Sequence, residues 1–329
     1  MLALLPLGCL RSGLLWLRHP PLLLAALLLL FSPGCDSAGE RPPENRPDSR
    51  PTNSRPLVVA SFTVLADMGR EVSCGLLRVE SIPKPGAEVH GYEVTPSDLR
   101  RAHGARLVLE NGLGLDAWTR RFTARLGDVP HLEASAGVET LPIAGSTRPN
   151  PHAWMSPKAA LIYVTNLEQG FRRLDPAHAA DYQRCAQAYR RRLRRLDTDL
   201  EAALRSLPAS QRLLATCEGA FSYLARDYGL EEAWLWPVNG EGEVTPRRMG
   251  RMIRTVRGRQ VPAVFCETTV DSRIQERVAR ESGARFGGRF HVDSTSGPEG
   301  PAATYEALMR HNLAILVAGL RPHRASPPP

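Results

Sequence analysis

The longest helical pattern in the chain covers residues 177–207. Apolar side chains recur there at steps of three and four residues, and neither Gly nor Pro interrupts them. These side chains are Tyr182, Cys185, Tyr189, Leu193, Leu196, Leu200, Ala203 and Leu207. A helix of about 30 residues is about 45 Å long, which is the width of a domain. The pattern therefore predicts one long amphipathic helix that connects two lobes.

Short apolar runs alternate with helical patterns on both sides of this helix. Runs of four to seven residues, predicted as buried strands, begin at Leu57, Leu76, Leu107, Leu213, Ala233 and Val261. A Thr-Pro pair at Thr95 and again at Thr245 is typical of a helix start. This alternation predicts an α/β fold of two lobes, each a mostly parallel sheet flanked by helices. The predicted boundaries are 57–176 for the N-terminal lobe, 177–207 for the connecting helix and 208–320 for the C-terminal lobe.

The first 35 residues have the pattern of an export signal. Arg11 and Arg18 precede an apolar run at 22–31 that is too short to span a bilayer. Cys35 follows small residues, as at a bacterial lipoprotein processing site, and is the candidate for lipidation; plain signal cleavage nearby is the alternative. We expect an exported lipoprotein held at the cell membrane, facing the periplasm or the cell exterior.

Two further segments have too few apolar residues to fold. Residues 36–56 are rich in Pro, Arg, Asn, Ser and Glu, and are predicted to be a disordered tether. Residues 321–329 are rich in Pro and Arg, and are predicted to be a loose tail.

The basic charge of the chain does not indicate nucleic-acid binding. The formal net charge is +8, and basic proteins often bind nucleic acid. Here, however, the arginines are scattered, and the sequence contains neither a basic tract interleaved with aromatic residues nor a recognition motif. We therefore expect no nucleic-acid partner.

Four cysteines lie beyond the signal and the candidate anchor. They are Cys74, Cys185, Cys217 and Cys266. Their spacings match no compact disulfide framework, so the sequence leaves their pairing open. Cys217 and Cys266 each end an apolar run and precede a Glu, which is typical of small buried residues at strand ends. A soft metal-ligand role for Cys217 is the alternative.

Four short segments each place a metal-binding side chain in a predicted turn. These side chains are His90, His152, Glu218 and Asp293. Glu218 follows an apolar run and precedes Gly219, so we expect its carboxylate to face a crevice at the end of a strand. Pro151 stiffens the approach to His152, and Trp154 can shield the site from water. Two imidazoles and two carboxylates suit one first-row metal ion held between the lobes.

The order and spacing of these segments resemble one protein family from about residue 57 to residue 320. The segments include PGAEVHGYEVTPSDL, NPHAWMSP, CEGAFSYLARDYGL and HVDSTSGPEGPAATYEALMRHN. They resemble the metal-binding substrate-binding proteins of bacterial ABC transporters, also called family 9 solute-binding proteins. The resemblance implies two α/β lobes joined by one long rigid α-helix, with a metal ligand at each of the four positions. It also implies a monomer that delivers its metal to a permease with an ATPase subunit.

Glu218 is the third of the four ligand positions along the chain, and its residue type bears on the choice of metal. Members of the family that carry manganese or iron commonly have Glu there, as at Glu218, whereas zinc-carrying members commonly have His. Two carboxylates and two imidazoles offer up to six fairly hard donors, which suit manganese better than tetrahedral zinc. Zinc carriers often have a His-rich loop as well, but residues 119–150 contain His131 alone. We expect Mn²⁺ as the transported ligand, with Zn²⁺ or Fe²⁺ as alternatives. Zinc stays an alternative because it binds most sites of nitrogen and oxygen donors more tightly than manganese does.

Two more residues are candidates near the metal. His291 would face the same way as Asp293 if a strand continued through both, which makes it the substitute ligand. Glu267 is a candidate to orient a ligand imidazole, with an exposed loop carboxylate as the alternative.

Two other classes of function compete with transport. A metallohydrolase would need an open coordination position and a general base, and four protein ligands argue against it. An adhesion lipoprotein would expose a large apolar patch. We therefore expect a binding protein that is not an enzyme.

Overall fold

The computed structural model describes residues 55–239 and 244–321. The predicted export signal, Cys35, most of the tether and the tail beyond Arg321 lie outside these residues. Among the residues described, no helix combines the length and the apolar character needed to cross a membrane.

The N-terminal half contains a four-stranded parallel sheet in the order β2-β1-β3-β4. Its strands are β1 (Leu57–Ala60), β2 (Arg78–Ser81), β3 (Leu107–Glu110) and β4 (His131–Glu133). The helices that follow the first three strands are α1 (Thr63–Val72), α2 (Pro96–Ala102) and α3 (Thr119–Thr123). Helix α2 begins at the predicted signal, because the Thr95 hydroxyl accepts from the Asp98 backbone N–H while the Asp98 carboxylate accepts from the Thr95 backbone N–H.

The C-terminal half contains two parallel strand pairs. They are β5 (Leu213–Glu218) with β6 (Glu231–Trp236), and β7 (Ala263–Glu267) with β8 (Arg285–Phe290). Strands β5 and β7 lie side by side, and a disulfide joins Cys217 to Cys266 across them. The helices of this half are α6 (Ser222–Tyr228), α7 (Pro246–Gly258), α8 (Arg273–Ser282) and α9 (Tyr305–Leu320).

Helix α5 (Ala179–Arg205) is the predicted connector. Its 27 residues make it about 40 Å long. It packs on α1, on α4 (Pro157–Leu174), on α6 and on α9, so it contacts elements of both halves. Its Arg192 side chain also bridges Glu71 of α1 and Glu306 of α9. The disulfide between Cys74 and Cys185 ties the loop after α1 to the same helix.

The buried stripe of α5 follows the predicted pattern with two exceptions. Cys185 is only half-buried and forms a disulfide, and Leu204 takes the core position expected for Ala203. The second exception arises because a helical repeat of 3.6 residues offsets position 204 from Leu200 by only about 40° around the axis, against about 60° for position 203.

The predicted α/β fold, with parallel sheets flanked by helices and a long connecting helix, is confirmed. Two strands lack the apolar run that predicts a strand. Strand β4 has only three residues, and β8 contains two arginines and two glycines. At Gly287 of β8 a Cβ atom would lie 2.4 Å from the ring of Phe265, so glycine is needed for this aromatic to pack. The lobe boundaries at 57–176 and 208–320 stay a prediction.

Candidate metal centre

The four candidate ligands lie near the carboxyl ends of strands or in the loops that follow them. His90 lies in the loop between β2 and α2, and His152 lies in the segment that leads into α4. Glu218 is the last residue of β5, and Asp293 follows the end of β8 by three residues. The crevice outside the carboxyl ends of parallel strands is the usual ligand site of such sheets, and these side chains converge there.

The ligand atoms of the four side chains all lie within 4.8 Å of one another. The Nε2 atoms of His90 and His152 are 3.2 Å apart. The Glu218 Oε1 atom is 3.4 Å from each of these nitrogens. The Asp293 Oδ1 atom lies 3.8 Å from His90 Nε2 and 3.7 Å from His152 Nε2. The sequence therefore brings two nitrogens and two oxygens to one point.

These separations have the size that a shared metal ion requires. Metal–nitrogen bonds of about 2.1 Å place two ligand atoms of a tetrahedral ion about 3.4 Å apart. The distances between neighbouring nitrogens and oxygens here range from 3.2 to 3.8 Å. The four side chains are thus close to the arrangement that holds a metal, with little rearrangement needed.

No Lys or Arg side chain among the described residues compensates for the two buried carboxylates of this cluster. Glu218 and Asp293 are fully buried, and no Lys or Arg side chain within residues 55–239 or 244–321 pairs with either of them. The Oε2 atom of Glu218 and the Oδ1 atom of Asp293 have no hydrogen-bond partner in this part of the chain. A buried charge is costly unless it is paired or coordinates a metal, so the cluster favours a bound cation.

Asn150 holds the His152 ring in place. Its Oδ1 atom lies 2.8 Å from His152 Nδ1 and also accepts from the His152 backbone N–H at 3.0 Å. The Asn150 amide donates to the carbonyl of Gly219, the residue after Glu218, at 2.7 Å. A proton on Nδ1 leaves Nε2 free to bind a metal. Asn150 thus orients one ligand and links it to the loop of another.

Trp154 joins the His152 segment to the Asp293 loop. The indole N–H donates to the carbonyl of Val292 at 3.1 Å, and the ring centroid lies 5.2 Å from that of His152. Trp154 is fully buried against Phe62. The indole therefore covers one side of the His152 ring, and its role in shielding a metal from water stays a prediction.

Asn239 and Glu88 link the Glu218 side of the cluster to the loop of His90 through hydrogen bonds. The Asn239 backbone N–H donates to Glu218 Oε1 at 2.6 Å, and its side-chain amide donates to Glu88 Oε2 at 2.9 Å. The other Glu88 oxygen accepts from the backbone N–H groups of Val89 and His90, each at 2.9 Å. Gly219 allows the approach of this segment, since a Cβ there would lie 2.8 Å from the carbonyl of Pro237.

None of Asn150, Asn239 and Glu88 is predicted from the sequence to be functional. Asn150 directly precedes Pro151 and His152, and that proximity is the one available signal. Asn239 and Glu88 lie 151 residues apart, so only the folded chain shows that they meet.

Glu267 lies beside Glu218 but is not one of the four converging residues. It is fully buried at the end of β7, and its Oε1 atom lies 3.4 Å from the Glu218 backbone nitrogen, which donates to it. Burial, followed by the negative charge of Glu218, raises the pKa of Glu267 well above its usual value. Its neutral form is favoured, which limits the negative charge beside the cluster. A role in orienting an imidazole stays a prediction, whereas an exposed loop carboxylate is excluded.

The structure brings neither Cys217 nor His291 into the four-residue cluster. The sulfur of Cys217 is bonded to that of Cys266, so Cys217 offers no free thiolate to a metal. Strand β8 ends at Phe290, so the alternation that would align His291 with Asp293 does not extend to them. The His291 ring packs instead on that of His311, with their centroids 5.5 Å apart.

The charges of the cluster act on the His90 imidazole. Burial alone lowers its pKa, but the contact with Asp293 and the negative charges of Asp293 and Glu218 outweigh burial and raise the pKa to about 9. The same contact lowers the pKa of Asp293, although burial acts in the opposite direction. A metal that binds at neutral pH must therefore displace a proton from His90.

This proton displacement predicts a pH-dependent affinity. We expect about one proton to be released per metal at pH 7, and the apparent affinity to rise about tenfold per unit between roughly pH 7 and pH 9. Calorimetric titration in buffers of different ionisation enthalpy measures the proton count. The exposed His103→Ala variant is the control and should release the same number. An affinity that stays constant over this range would contradict the assignment.

Asn150 should control the affinity through its acceptor oxygen. We expect Asn150→Ala to weaken metal binding about 10–100-fold, as is typical when the partner of a ligand imidazole is lost. Asn150→Asp keeps the acceptor for His152 and should retain most of the affinity. Competitive titration with a chromogenic chelator measures both, and circular dichroism checks the fold. An equal loss in the two variants would refute this role.

Comparison with known proteins identifies the family. Residues 58–319 match the family model described as the periplasmic component A of the zinc-uptake complex, ZnuA. The iron-binding protein YfeA of Yersinia pestis is 42% identical over 84% of this chain and 89% of its own length. The manganese-binding lipoprotein MntA of Halalkalibacterium halodurans is 32% identical over 80% of this chain and 88% of its own length.

A solved structure supports the same relationship. The Mn-bound periplasmic metal-binding protein of Candidatus Liberibacter asiaticus is 31% identical, with a TM-score of 0.76. The similarity covers 81% of this chain and all of that one. Other relatives are named as substrate-binding lipoproteins of manganese or metal ABC transporters, such as PsaA of Streptococcus pneumoniae. The chain therefore belongs to the ZnuA family, the metal-binding substrate-binding proteins of ABC transporters.

Proposed function

We propose that this protein captures Mn²⁺ outside the cytoplasmic membrane and delivers it to an ABC permease. The observation that carries the proposal is the convergence of His90, His152, Glu218 and Asp293 within 4.8 Å. Each side chain supplies one donor to the ion in this proposal, and the second oxygen of each carboxylate is available for higher coordination.

The donor chemistry supports manganese as the cargo. Glu218 and Asp293 contribute hard oxygen atoms, and manganese accepts oxygen donors and a coordination number above four. Fe²⁺ is the second candidate, because the relative that is 42% identical is named as an iron-binding protein. Zinc remains the main competitor in a titration, since it exceeds manganese in the general order of affinity.

The enclosure of the site suits capture and transport. His152, Glu218 and Asp293 are fully buried, and the side chain of His90 is 8% exposed. Four protein ligands leave little room for the bound water that a hydrolase activates. Release therefore requires that a ligand move, and His90 is the one ligand with access to solvent.

The proposal also covers the location of the protein and its attachment to the membrane. We propose that Cys35 is lipidated and that residues 36–56 tether the folded body at the cell membrane, outside the cytoplasm. The names of several relatives include the word lipoprotein, which supports this setting. The proposed functional unit is a monomer that serves a permease with its ATPase subunit.

Two substitutions at Glu218 test the site and its choice of metal. We expect Glu218→Ala to weaken Mn²⁺ binding at least about 100-fold, beyond the range typical for residues that only orient a ligand. We expect Glu218→His to favour Zn²⁺ over Mn²⁺, because it replaces an oxygen donor with a third imidazole. Competitive titration with Mn²⁺, Fe²⁺ and Zn²⁺ under anaerobic conditions measures both effects.

The exposed Glu299→Ala variant is the matched control, and its affinities should equal those of the wild type. Wild-type affinity in Glu218→Ala would disprove the site. An unchanged ratio of manganese to zinc affinity in Glu218→His would disprove the role of Glu218 in metal choice.

A further inference from the structure

A cavity of about 480 Å³ lies beside the loop that carries His90. Tyr92, Trp118 and Phe122 form an aromatic wall, in which the Trp118 ring centroid is 5.2 Å from that of Tyr92 and 6.1 Å from that of Phe122. Arg121 and Arg125 complete the wall. The metal centre does not account for this arrangement, which we call the α3 pocket because α3 supplies part of it.

The two arginines of the α3 pocket are not neutralised by nearby acids. Both side chains are exposed, and in the described part of the chain neither guanidinium pairs with a carboxylate. By contrast, Arg101 of the adjacent helix α2 pairs with Asp98 at 2.6 Å. Glu93 is the only carboxylate among the residues that line the pocket, so the pocket carries a net positive charge.

The aromatic wall is bonded directly to the ligand loop. The Trp118 indole N–H donates to the carbonyl of Val89 at 3.2 Å, and Val89 precedes the ligand His90. His90 itself lines the pocket. A molecule that moves Trp118 therefore acts on the backbone next to a metal ligand.

A second cavity of about 480 Å³ lies on the other side of the same loop. It shares His90 and Gly91 with the α3 pocket, and Leu113 and Asn239 also line it. Because Asn239 contacts both Glu218 and Asp293, this second cavity is the mouth of the metal centre. A partner that receives metal at this mouth also reaches the α3 pocket past the exposed Gly91.

The chemistry of the α3 pocket fits a protein segment better than a small anion. Sites for small ligands enclose most of the ligand and place a few buried polar groups around it, whereas both arginines here are exposed. Trp, Tyr and Arg are the residues most enriched where protein partners bind tightly. The net positive charge selects an acidic partner.

We propose that the α3 pocket docks an acidic segment of the membrane permease and that docking loosens His90 from the metal. This inference rests on the proposed function, because it assumes that the cluster holds a metal for delivery. An acidic segment that pairs with Arg121 and Arg125 lies against Trp118. It thereby weakens the bond from Trp118 to Val89 and frees the one ligand that reaches solvent.

A pair of charge-reversed variants separates this role from metal binding. The test variant is Arg121→Glu with Arg125→Glu. The matched control is Arg106→Glu with Arg120→Glu, which makes the same change in charge at exposed arginines that do not line the pocket. The mature full-length chain is loaded with Mn²⁺ and added to proteoliposomes that contain its permease and ATPase subunits.

The two readouts are stimulation of the ATPase and release of Mn²⁺ to a chelator. The affinity for Mn²⁺ is measured separately, without the transporter. We expect both variants to bind Mn²⁺ like the wild type. In the test variant alone, we expect stimulation of the ATPase to need at least about tenfold more protein. We also expect the transporter to speed Mn²⁺ release to a chelator for the wild type and the control, but not for the test variant.

The outcomes distinguish this proposal from the proposed function. Docking at the α3 pocket would be overturned if the test variant stimulated the ATPase and released Mn²⁺ like the wild type. It would also be overturned if the test and control variants lost these activities equally. Binding of free citrate by the wild type but not by the test variant, with normal stimulation, would overturn it in favour of a small-anion site. Failure of the wild type itself to bind Mn²⁺ would instead refute the proposed function.

Discussion

The structure depends on two buried carboxylates that face two imidazoles. Glu218 and Asp293 bring negative charge into a region from which water is excluded, and within the described residues no Lys or Arg side chain pairs with either carboxylate. Such an arrangement is costly for the isolated chain and favourable once a divalent cation binds. The raised pKa of His90 is a second consequence, because the imidazole takes up a proton where a metal would otherwise supply the positive charge.

The scaffold holds these charges close together through contacts within the chain. Helix α5 packs on elements of both halves, and the disulfide from Cys217 to Cys266 fixes β5 against β7 just before Glu218 and Glu267. The bonds from Asn150 to Gly219, from Trp154 to Val292 and from Asn239 to Glu88 then connect the ligand loops to one another. Ligands ordered in advance need less reorganisation on binding, which raises affinity.

The sequence predicts most of the architecture because the relevant signals are local. The apolar stripe of α5, the Thr-Pro helix starts and the buried runs of β1 and β7 each follow from side chains a few residues apart. Strand β8 is not predicted because Gly287, which makes room for Phe265, together with Gly288 and two arginines removes its apolar pattern. The sequence also names the four residues that converge in the candidate metal centre, but only the resemblance to a family unites their separate segments into one hypothesis.

The remaining features depend on contacts between distant parts of the chain. Cys217 was open to a ligand role until the fold placed Cys266 beside it. His291 aligns with Asp293 only if a strand continues through both residues, whereas β8 ends at Phe290. Asn239 carries no local signal, whereas Glu88 lies two residues before His90. The importance of both residues arises from a hydrogen bond that spans the cluster.

The metal position can be measured by anomalous diffraction from Mn-loaded crystals at the manganese absorption edge. We expect one peak per chain, bounded by His90 Nε2, His152 Nε2 and the carboxylates of Glu218 and Asp293. A manganese peak at any other position, with these four side chains left without metal, would contradict it.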